Sequence, residues 1–307
     1  MVIFIENIIF QQFGLLNNMF NVIEKDLTKF STIRTKSFCK YYAEINSNKD
    51  VKSAIDFKNK NNLKFKILGN GSNILFSKDY YDDILFLKFG DGFNFITYYD
   101  DYVEIGSSYS LIQAGRELIY KGYKDYIFFS LIPATIGGAI RQNAGTGTNE
   151  EIKDVCLSCK VYDIKKNQEI ELNLDNMHFS YRNSIIKKNP NRYILLSSKF
   201  KLNNQTDSID QLILEMKERV KEKKNREPSG YSFGSTFVNN EKKAWEYVNC
   251  IYNNLDLSDD YYFSDKHKNW VINRNGSGEA ILDLINKVQN EVFNKFNINL
   301  KLEVDII

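Results

Sequence analysis

Hydrophobic and polar positions along the chain switch repeatedly between helical and strand periodicity, which predicts a mixed α+β protein. Helical spacing of apolar residues, or a long charged stretch, predicts helices at 49–62, 110–122 and 207–226. Short runs rich in β-branched and aromatic residues predict strands at 63–68, 84–89, 93–99, 102–107, 155–163, 192–202 and 300–307. We place the main domain boundary near 203–208.

The first twenty residues are apolar enough to raise the question of a signal or an anchor. Glu6 interrupts the run, no lysine or arginine precedes it, and no small-residue cleavage site follows. We therefore interpret 3–22 as a short amphipathic helix, with translation starting at Met1 or at Met19. No later stretch reaches the roughly 18 uncharged apolar residues that a membrane helix needs, so we expect a cytoplasmic protein without membrane contact.

Composition narrows the classes of function. A chain of 307 residues with 43% hydrophobic and 26% charged residues is typical of a globular protein with two domains or lobes. The net charge of +2 argues against nucleic-acid binding. Four cysteines are too few for a disulfide framework. Cys156 and Cys159 form a CxxC pair, but on the predicted strand they point to opposite faces, which argues against a zinc or redox site. We expect no bound metal.

Half of the glycines fall in three short stretches. Residues 69–71, 137–147 and 230–234 hold eight of the sixteen glycines. Glycine lets backbone N–H groups approach a ligand closely, which is one way to bind phosphate without lysine. Neither GxGxxG nor GxxxxGK[ST] occurs, so a dinucleotide Rossmann unit and a P-loop both lose support. The glycines together predict a phosphate-rich ligand.

Six blocks in one order carry a family resemblance. They are LGNGSNIL (68–75), IPATIGGAIRQNAGTG (132–147), YRNS (181–184), FGSTFVN (233–239), SDKHKNWVIN (264–273) and LEVDII (302–307). From about Phe30 to the C-terminus the chain resembles the UDP-N-acetylenolpyruvoylglucosamine reductase (MurB) family of peptidoglycan precursor synthesis. The spacing of about 50 residues between Arg182 and Ser235 resembles the shorter family subtype.

The resemblance implies an α+β fold in which a two-lobed FAD-binding domain of the vanillyl-alcohol-oxidase/PCMH type precedes a smaller α+β substrate-binding domain. The expected extents are an N-terminal extension at 1–29, the FAD-binding domain at 30–204 with lobes of about 30–92 and 93–204, and the substrate-binding domain at 205–307. The residues implied to hold FAD are Gly69, Asn70, Gly71, Ser72, Asn73, Ile74, Pro133, Thr135, Gly137, Gly138, Asn143, Ala144 and Gly145. Neither glycine loop contains histidine or cysteine, so we expect non-covalent FAD.

The resemblance also implies the chemistry. NADPH would reduce the flavin and leave, and the enolpyruvyl substrate would then take hydride from flavin N5. Arg182 and Glu303 would stabilise the enolate-like charge, with the pKa of Glu303 raised by burial, and Ser235 would protonate the α-carbon. Periodicity alone predicts otherwise for Glu303, because in an alternating terminal strand it shares a solvent-exposed face with Lys301 and Asp305.

The remaining assignments concern the substrate and the alternatives. Tyr181 and Asn239 are expected to line the site of a nucleotide-sugar substrate, and Lys223 and Arg226 to meet its diphosphate. His267 falls in a matching block without a mechanistic role. Two other functions stay open: a flavin-dependent oxidase of the same fold, and a non-catalytic flavin- or nucleotide-binding paralogue. We expect a monomer.

Overall fold

The computed structural model describes residues 20–147, 150–255 and 257–307. The strands are β1 (Ile23–Asp26), β2 (Phe38–Ile45), β3 (Lys64–Leu68), β4 (Ile74–Leu75), β5 (Tyr80–Phe89), β6 (Ile96–Tyr98), β7 (Tyr102–Gly106), β8 (Cys156–Asp163), β9 (Gln168–Asn173), β10 (Tyr193–Lys201), β11 (Tyr261–Ser264), β12 (His267–Asn273) and β13 (Asp305–Ile306). The α-helices are α1 (Asn48–Lys60), α2 (Leu111–Tyr120), α3 (Ile136–Gln142), α4 (Ile185–Lys188), α5 (Ile209–Arg226), α6 (Ala244–Ile251) and α7 (Gly278–Phe296).

The first sheet is mixed and has the strand order β1-β2-β5-β3. β1 is antiparallel to β2, whereas β2 and β3 both run parallel to β5. Helix α1 connects β2 to β3 and starts at Ser47, whose side chain accepts a hydrogen bond from the backbone N–H of Asp50. In the described part of the expected N-terminal extension, 20–22 is not helical, 23–26 is a strand, and a 3-10 turn begins at Thr28. The helix predicted for 3–22 otherwise lies outside the described residues.

The second sheet is antiparallel throughout, with the order β6-β7-β10-β8-β9. Helices α2 and α3 and the 3-10 segment Lys124–Leu131 cover it and bury Tyr126, Phe128 and Phe129. The strand predicted at 93–99 is shorter than expected, because 91–93 forms a 3-10 turn and only Ile96–Tyr98 pairs with β7.

A bulge in β8 corrects the prediction for the two neighbouring cysteines. Phe200 pairs with Cys156 and Lys199 with Ser158, so Leu157 is an extra residue in the ladder. The bulge turns Cys156 and Cys159 to one buried face, with their Sγ atoms 3.8 Å apart. The Cys159 thiol and burial raise the pKa of Cys156 well above its usual value. Because the thiolate is the reactive form, the raised pKa makes the Cys156 thiol a poor nucleophile.

The C-terminal part combines the antiparallel hairpin β11–β12 with α6 and α7 around one core. Phe263 and Val271 of the hairpin pack with Ile281 and Ile285 of α7. Helix α5 leads into this part and packs on the second-sheet side through Leu212 and Met216. Across the described ranges, no helix combines the length and apolarity needed to cross a membrane.

The last residues return to the first part of the chain. The predicted strand at 300–307 is mostly irregular, and only Asp305–Ile306 pairs, in parallel with β4. The Ile307 backbone N–H donates to the Leu75 carbonyl oxygen at 3.0 Å, and the Ser77 backbone N–H donates to the Ile307 carbonyl oxygen at 3.0 Å. This return places Glu303 between the sequence-distant loops that form the cleft.

Candidate active site

A cleft of about 610 Å³ lies where the glycine loops, the Arg182 turn, the Ser235 loop and the C-terminal segment meet. A second cavity of about 500 Å³ adjoins it and shares Gly69, Asn70, Thr135 and Gly138 in its wall. The predicted cofactor residues in the first cavity's wall are Gly69, Asn70, Gly71, Ser72, Asn73, Ile74, Pro133, Thr135, Gly138, Ala144 and Gly145, while Gly137 lines the second. All of the predicted cofactor residues except Asn143 thus line two adjoining cavities, which together form one groove.

The loop 69–73 has the geometry of an anion-binding turn. Gly71 has φ +68°, and a Cβ on it would lie 1.9 Å from the carbonyl oxygen of Phe30. Among the described residues, no acceptor pairs with the backbone N–H groups of Asn70, Gly71 and Ser72. Free, converging amides of this kind suit a phosphate group.

The N-terminus of α3 differs from that loop. Thr135 caps it by accepting from the Gly138 N–H at 3.2 Å, while the Ile136 and Gly137 N–H groups donate to Tyr109 and Ser107 carbonyl oxygens. These amides are used within the protein, so the phosphate-binding capacity lies in 69–73. Helix α3 contributes close packing instead, since a Cβ on Gly69 would lie 2.9 Å from Thr135 Oγ1.

The Arg182 side chain lies in the cleft wall and is held there by three contacts. Its Nε donates to Glu303 Oε1 at 3.1 Å, its Nη2 donates to the Gly145 carbonyl oxygen at 2.9 Å, and its guanidinium lies 4.8 Å from the Tyr181 ring centroid. Its backbone has φ +55°, a left-handed conformation that is uncommon for a residue with a long side chain. The surroundings must hold this conformation in place.

Glu303 is mostly buried, so the exposure predicted from strand alternation is wrong. Its side chain is 19% exposed, and burial raises its pKa, although Arg182 opposes the rise. The alternation failed because 301–304 is not in a ladder: the Glu303 N–H donates to the Thr236 carbonyl oxygen, and the Asp305 N–H donates to that of Asn73. These bonds draw the segment between two loops.

Ser235 lies on the same cleft wall as Arg182 and Glu303. It forms an isolated bridge with Trp270, and the next residue, Thr236, donates its N–H to the Asn269 carbonyl oxygen at 2.8 Å. The loop is thus held by β12 on one side and by the Glu303 segment on the other. Three residues separated by 53 and 68 positions are brought to one site.

The predicted substrate residues divide into two groups. Lys223 and Arg226, at the end of α5, line the cleft, and Lys223 pairs with Glu227. Tyr181 is 47% exposed and lies against the Arg182 guanidinium. Asn239 is exposed, and its Oδ1 accepts from the Ala244 N–H at 2.9 Å at the start of α6. The structure does not place Tyr181 or Asn239 in the cleft wall.

Asn143 lies behind the cleft wall. It is fully buried at the left-handed C-cap of α3, with φ +44°. Its Nδ2 donates to the Ser180 carbonyl oxygen and to Glu151 Oε2, and its Oδ1 accepts from the Lys153 N–H. The structure thus gives Asn143 a role in joining three segments, not a place on the groove surface.

Several polar residues that sequence reasoning did not select also occupy the cleft wall or the shell behind it. Arg141 of α3 pairs with Asp305, and burial lowers the pKa of Lys66 and of Lys187. Glu151 Oε1 lies 3.6 Å from Arg182 Nη1, whereas Glu303 binds Nε. The sequence signal that could have identified Arg141 and Glu151 was a polar residue inside or just after the small-residue motif at 132–147. Such a residue is equally typical of a solvated surface.

His267 has a local structural role. Its Nδ1 accepts a hydrogen bond from the Asn269 N–H at 3.3 Å, and burial lowers its pKa. It shapes the turn into β12, whose Asn269 fixes the Ser235 loop.

Comparisons with known proteins agree with this architecture. Residues 39–172 match the family model described as an FAD binding domain, and residues 226–307 match that of the UDP-N-acetylenolpyruvoylglucosamine reductase C-terminal domain. The enzyme so named from Francisella tularensis is 29% identical over 92% of this chain and 98% of its own, and that of Clostridium botulinum strain Hall is 31% identical over 98% and 97%. The crystal structure of MurB from Thermus caldophilus superposes with a TM-score of 0.77 at 21% identity, covering 94% of this chain and 99% of the other.

The groove fits FAD by its own chemistry, because the amides of Asn70, Gly71 and Ser72, which have no acceptor among the described residues, adjoin a partly apolar cavity of about 610 Å³. Fold and site together define an FAD-dependent oxidoreductase. The chain belongs to the UDP-N-acetylenolpyruvoylglucosamine reductase (MurB) family, as the six sequence blocks predicted. The predicted two-part α+β fold, with its PCMH-type FAD-binding domain, is likewise confirmed.

Proposed function

We propose that this protein reduces UDP-N-acetylenolpyruvoylglucosamine to UDP-N-acetylmuramate, with bound FAD and with NADPH as the reductant. The observation that carries the proposal is that Arg182, Ser235 and Glu303 line one cleft beside the flavin-binding groove. FAD, when bound, supplies the hydride-transfer chemistry. The amides of 69–73 hold its pyrophosphate, and the second cavity extends the groove for the rest of the cofactor, without a covalent link.

The three side chains have separate tasks in this proposal. Arg182 places a fixed positive charge beside the enolpyruvyl carboxylate, where negative charge grows during the reaction. Because its pKa is raised by burial, Glu303 keeps a proton more readily than an exposed glutamate and can donate a hydrogen bond to the same carboxylate. Ser235 delivers the proton to the α-carbon.

Cations at the end of α5 receive the substrate's diphosphate. Lys223 and Arg226 both line the cleft, and among the described residues Arg226 has no ion-pair or hydrogen-bond partner. A charged guanidinium that is free in the protein suits a phosphate oxygen. At the edge of the cleft, the Tyr181 ring packs against the Arg182 guanidinium that meets the substrate. The Asn239 Nδ2, which is not used in the helix cap, can donate a hydrogen bond to the substrate.

The organisation of the chain is part of the proposal. The FAD-binding domain would extend over 30–204, with lobes of about 30–92 and 93–204, and the substrate-binding domain over 205–307. We propose that the protein acts in the cytoplasm and as a monomer.

An anaerobic visible spectrum tests the proposal in one titration. Flavin bands should bleach with NADPH and return when the enolpyruvyl sugar is added. Bands that return only with oxygen would show an oxidase. A protein that cannot be reconstituted with FAD would be a non-catalytic relative.

A further inference from the structure

The Arg182 guanidinium is surrounded by oxygen atoms from the C-terminal segment and from two bridged residues of the loop that follows α3. Glu303 takes a hydrogen bond from Nε, and the carbonyl oxygen of Gly145 takes one from Nη2. On the third side, Glu151 Oε1 lies 3.6 Å from Nη1. That distance allows charge attraction but exceeds a normal hydrogen bond, and Nη1 is a buried donor without a hydrogen-bond partner among the described residues.

Glu151 is itself held firmly in place. Its side chain is 13% exposed, and its other oxygen, Oε2, accepts from Asn143 Nδ2 at 3.2 Å and lies 2.8 Å from Lys153 Nζ. The same Asn143 Nδ2 donates to the Ser180 carbonyl oxygen at 3.0 Å, two residues before Arg182. Glu151 is therefore tied through Asn143 to the turn that carries the arginine.

We propose that Glu151 is a positioning residue for the reaction, whose carboxylate beside Nη1 holds the Arg182 guanidinium in its place in the cleft wall. The inference rests on the proposed function and adds a residue that contacts neither cofactor nor substrate. Its carboxylate places a second negative charge beside the arginine, at Nη1 and not at Nε. Without it, the guanidinium can turn toward Glu303 and the left-handed backbone at Arg182 loses a support.

Glu151→Gln tests the proposal, because glutamine keeps the side-chain length and one oxygen acceptor but removes the charge. We expect the reoxidation of reduced flavin by the enolpyruvyl sugar to slow about 10- to 100-fold, the range for a displaced catalytic group, with KM changed less than about threefold. Flavin reduction by NADPH should stay within about twofold of the wild type, since that step does not use Arg182. Glu151→Asp should recover part of the rate.

Glu150→Gln is the matched control. It removes a carboxylate from the adjacent position, but that carboxylate pairs with Arg219 of α5. We expect its reoxidation rate to stay within about threefold of the wild type. An equal loss in both variants would show a general effect on the loop and would overturn the proposal.

A double-mutant cycle separates positioning from a structural effect. If Glu151 acts through Arg182, then Glu151→Gln should change the rate less than about twofold in an Arg182→Ala protein. Full additivity overturns the inference, as does a crystal structure of the Glu151→Gln protein with Arg182 unmoved. A wild-type protein inert toward the enolpyruvyl sugar would instead refute the proposed function, and the crystal structure would still decide the positioning.

Discussion

Gly71→Ala should be costly, because the structure puts two separate penalties on one added methyl group. At φ +68° an alanine adopts the left-handed conformation, which costs about 1–2 kcal/mol. Its Cβ would also lie 1.9 Å from the Phe30 carbonyl oxygen and 2.8 Å from Ser31 Cα, closer than real Cβ atoms come to backbone. Forcing the two loops apart adds about 1–3 kcal/mol, the usual cost of overpacking.

The contact between these loops is also hydrogen-bonded. The Thr32 N–H donates to the Gly71 carbonyl oxygen at 3.0 Å, so a displacement of the loop by about 1 Å would break this bond as well. The amides of Asn70 and Ser72 would move with it. We therefore expect FAD affinity to fall at least about tenfold, since one hydrogen bond to a charged group contributes about 1.5–3 kcal/mol.

Gly147→Ala is the control that isolates the clash. Gly147 has φ +82°, but no atom of the described residues lies within 4 Å of its added Cβ. Only the conformational cost of about 1–2 kcal/mol should remain. Urea denaturation of both apoproteins, followed by circular dichroism, should give free energies of unfolding that differ by the overpacking cost, and therefore different midpoints. FAD binding should weaken in Gly71→Ala alone. Equal midpoints for the two variants would refute the reasoning.

Three further predictions follow from single contacts. Thr135→Val removes the N-cap bond to the Gly138 N–H and should lower the free energy of unfolding by about 1 kcal/mol, measured by urea denaturation; no change would mean that the cap is dispensable. Ser235→Ala should slow reoxidation of reduced flavin by the enolpyruvyl sugar at least about 100-fold and leave reduction by NADPH intact, which stopped-flow absorbance would show; equal loss in both steps would contradict proton donation. Burial raises the pKa of Glu303 above its ordinary 4.5, so the folded chain keeps a proton that the unfolded chain releases. Its contribution to stability is complete below pH 4.5 and is lost as the pH rises through the raised folded pKa, and Glu303→Gln should flatten that part of the stability profile. An unchanged profile in apoprotein melts would assign the pH dependence to another group.

Local signals were sufficient for most regular elements. Helix α2 has an apolar stripe and a serine cap, and both are features of its own sequence. The strands at 64–68 and 156–163 agree with the predicted runs because short β-branched or aromatic segments have few alternatives in a compact domain. The strand predicted at 300–307 forms only at Asp305–Ile306, which pairs with β4, because 301–303 bonds to the loop that carries Ser235 and not to a strand.

The sequence by itself determined the family and its FAD-binding domain, because motif order and residue type are carried along the chain. It also selected Arg182, Ser235 and Glu303, which line one cleft, and their roles stay predictions. The tertiary structure decided which amides can bind a ligand. The first amides of α3 donate to acceptors within the protein, whereas those of 70–72 have no acceptor among the described residues. It also decided that Glu303 is mostly buried and that Cys156 and Cys159 share a face. Burial, pKa and side-chain direction depend on neighbours distant in sequence, and a single bulge or crossing segment reverses what periodicity predicts.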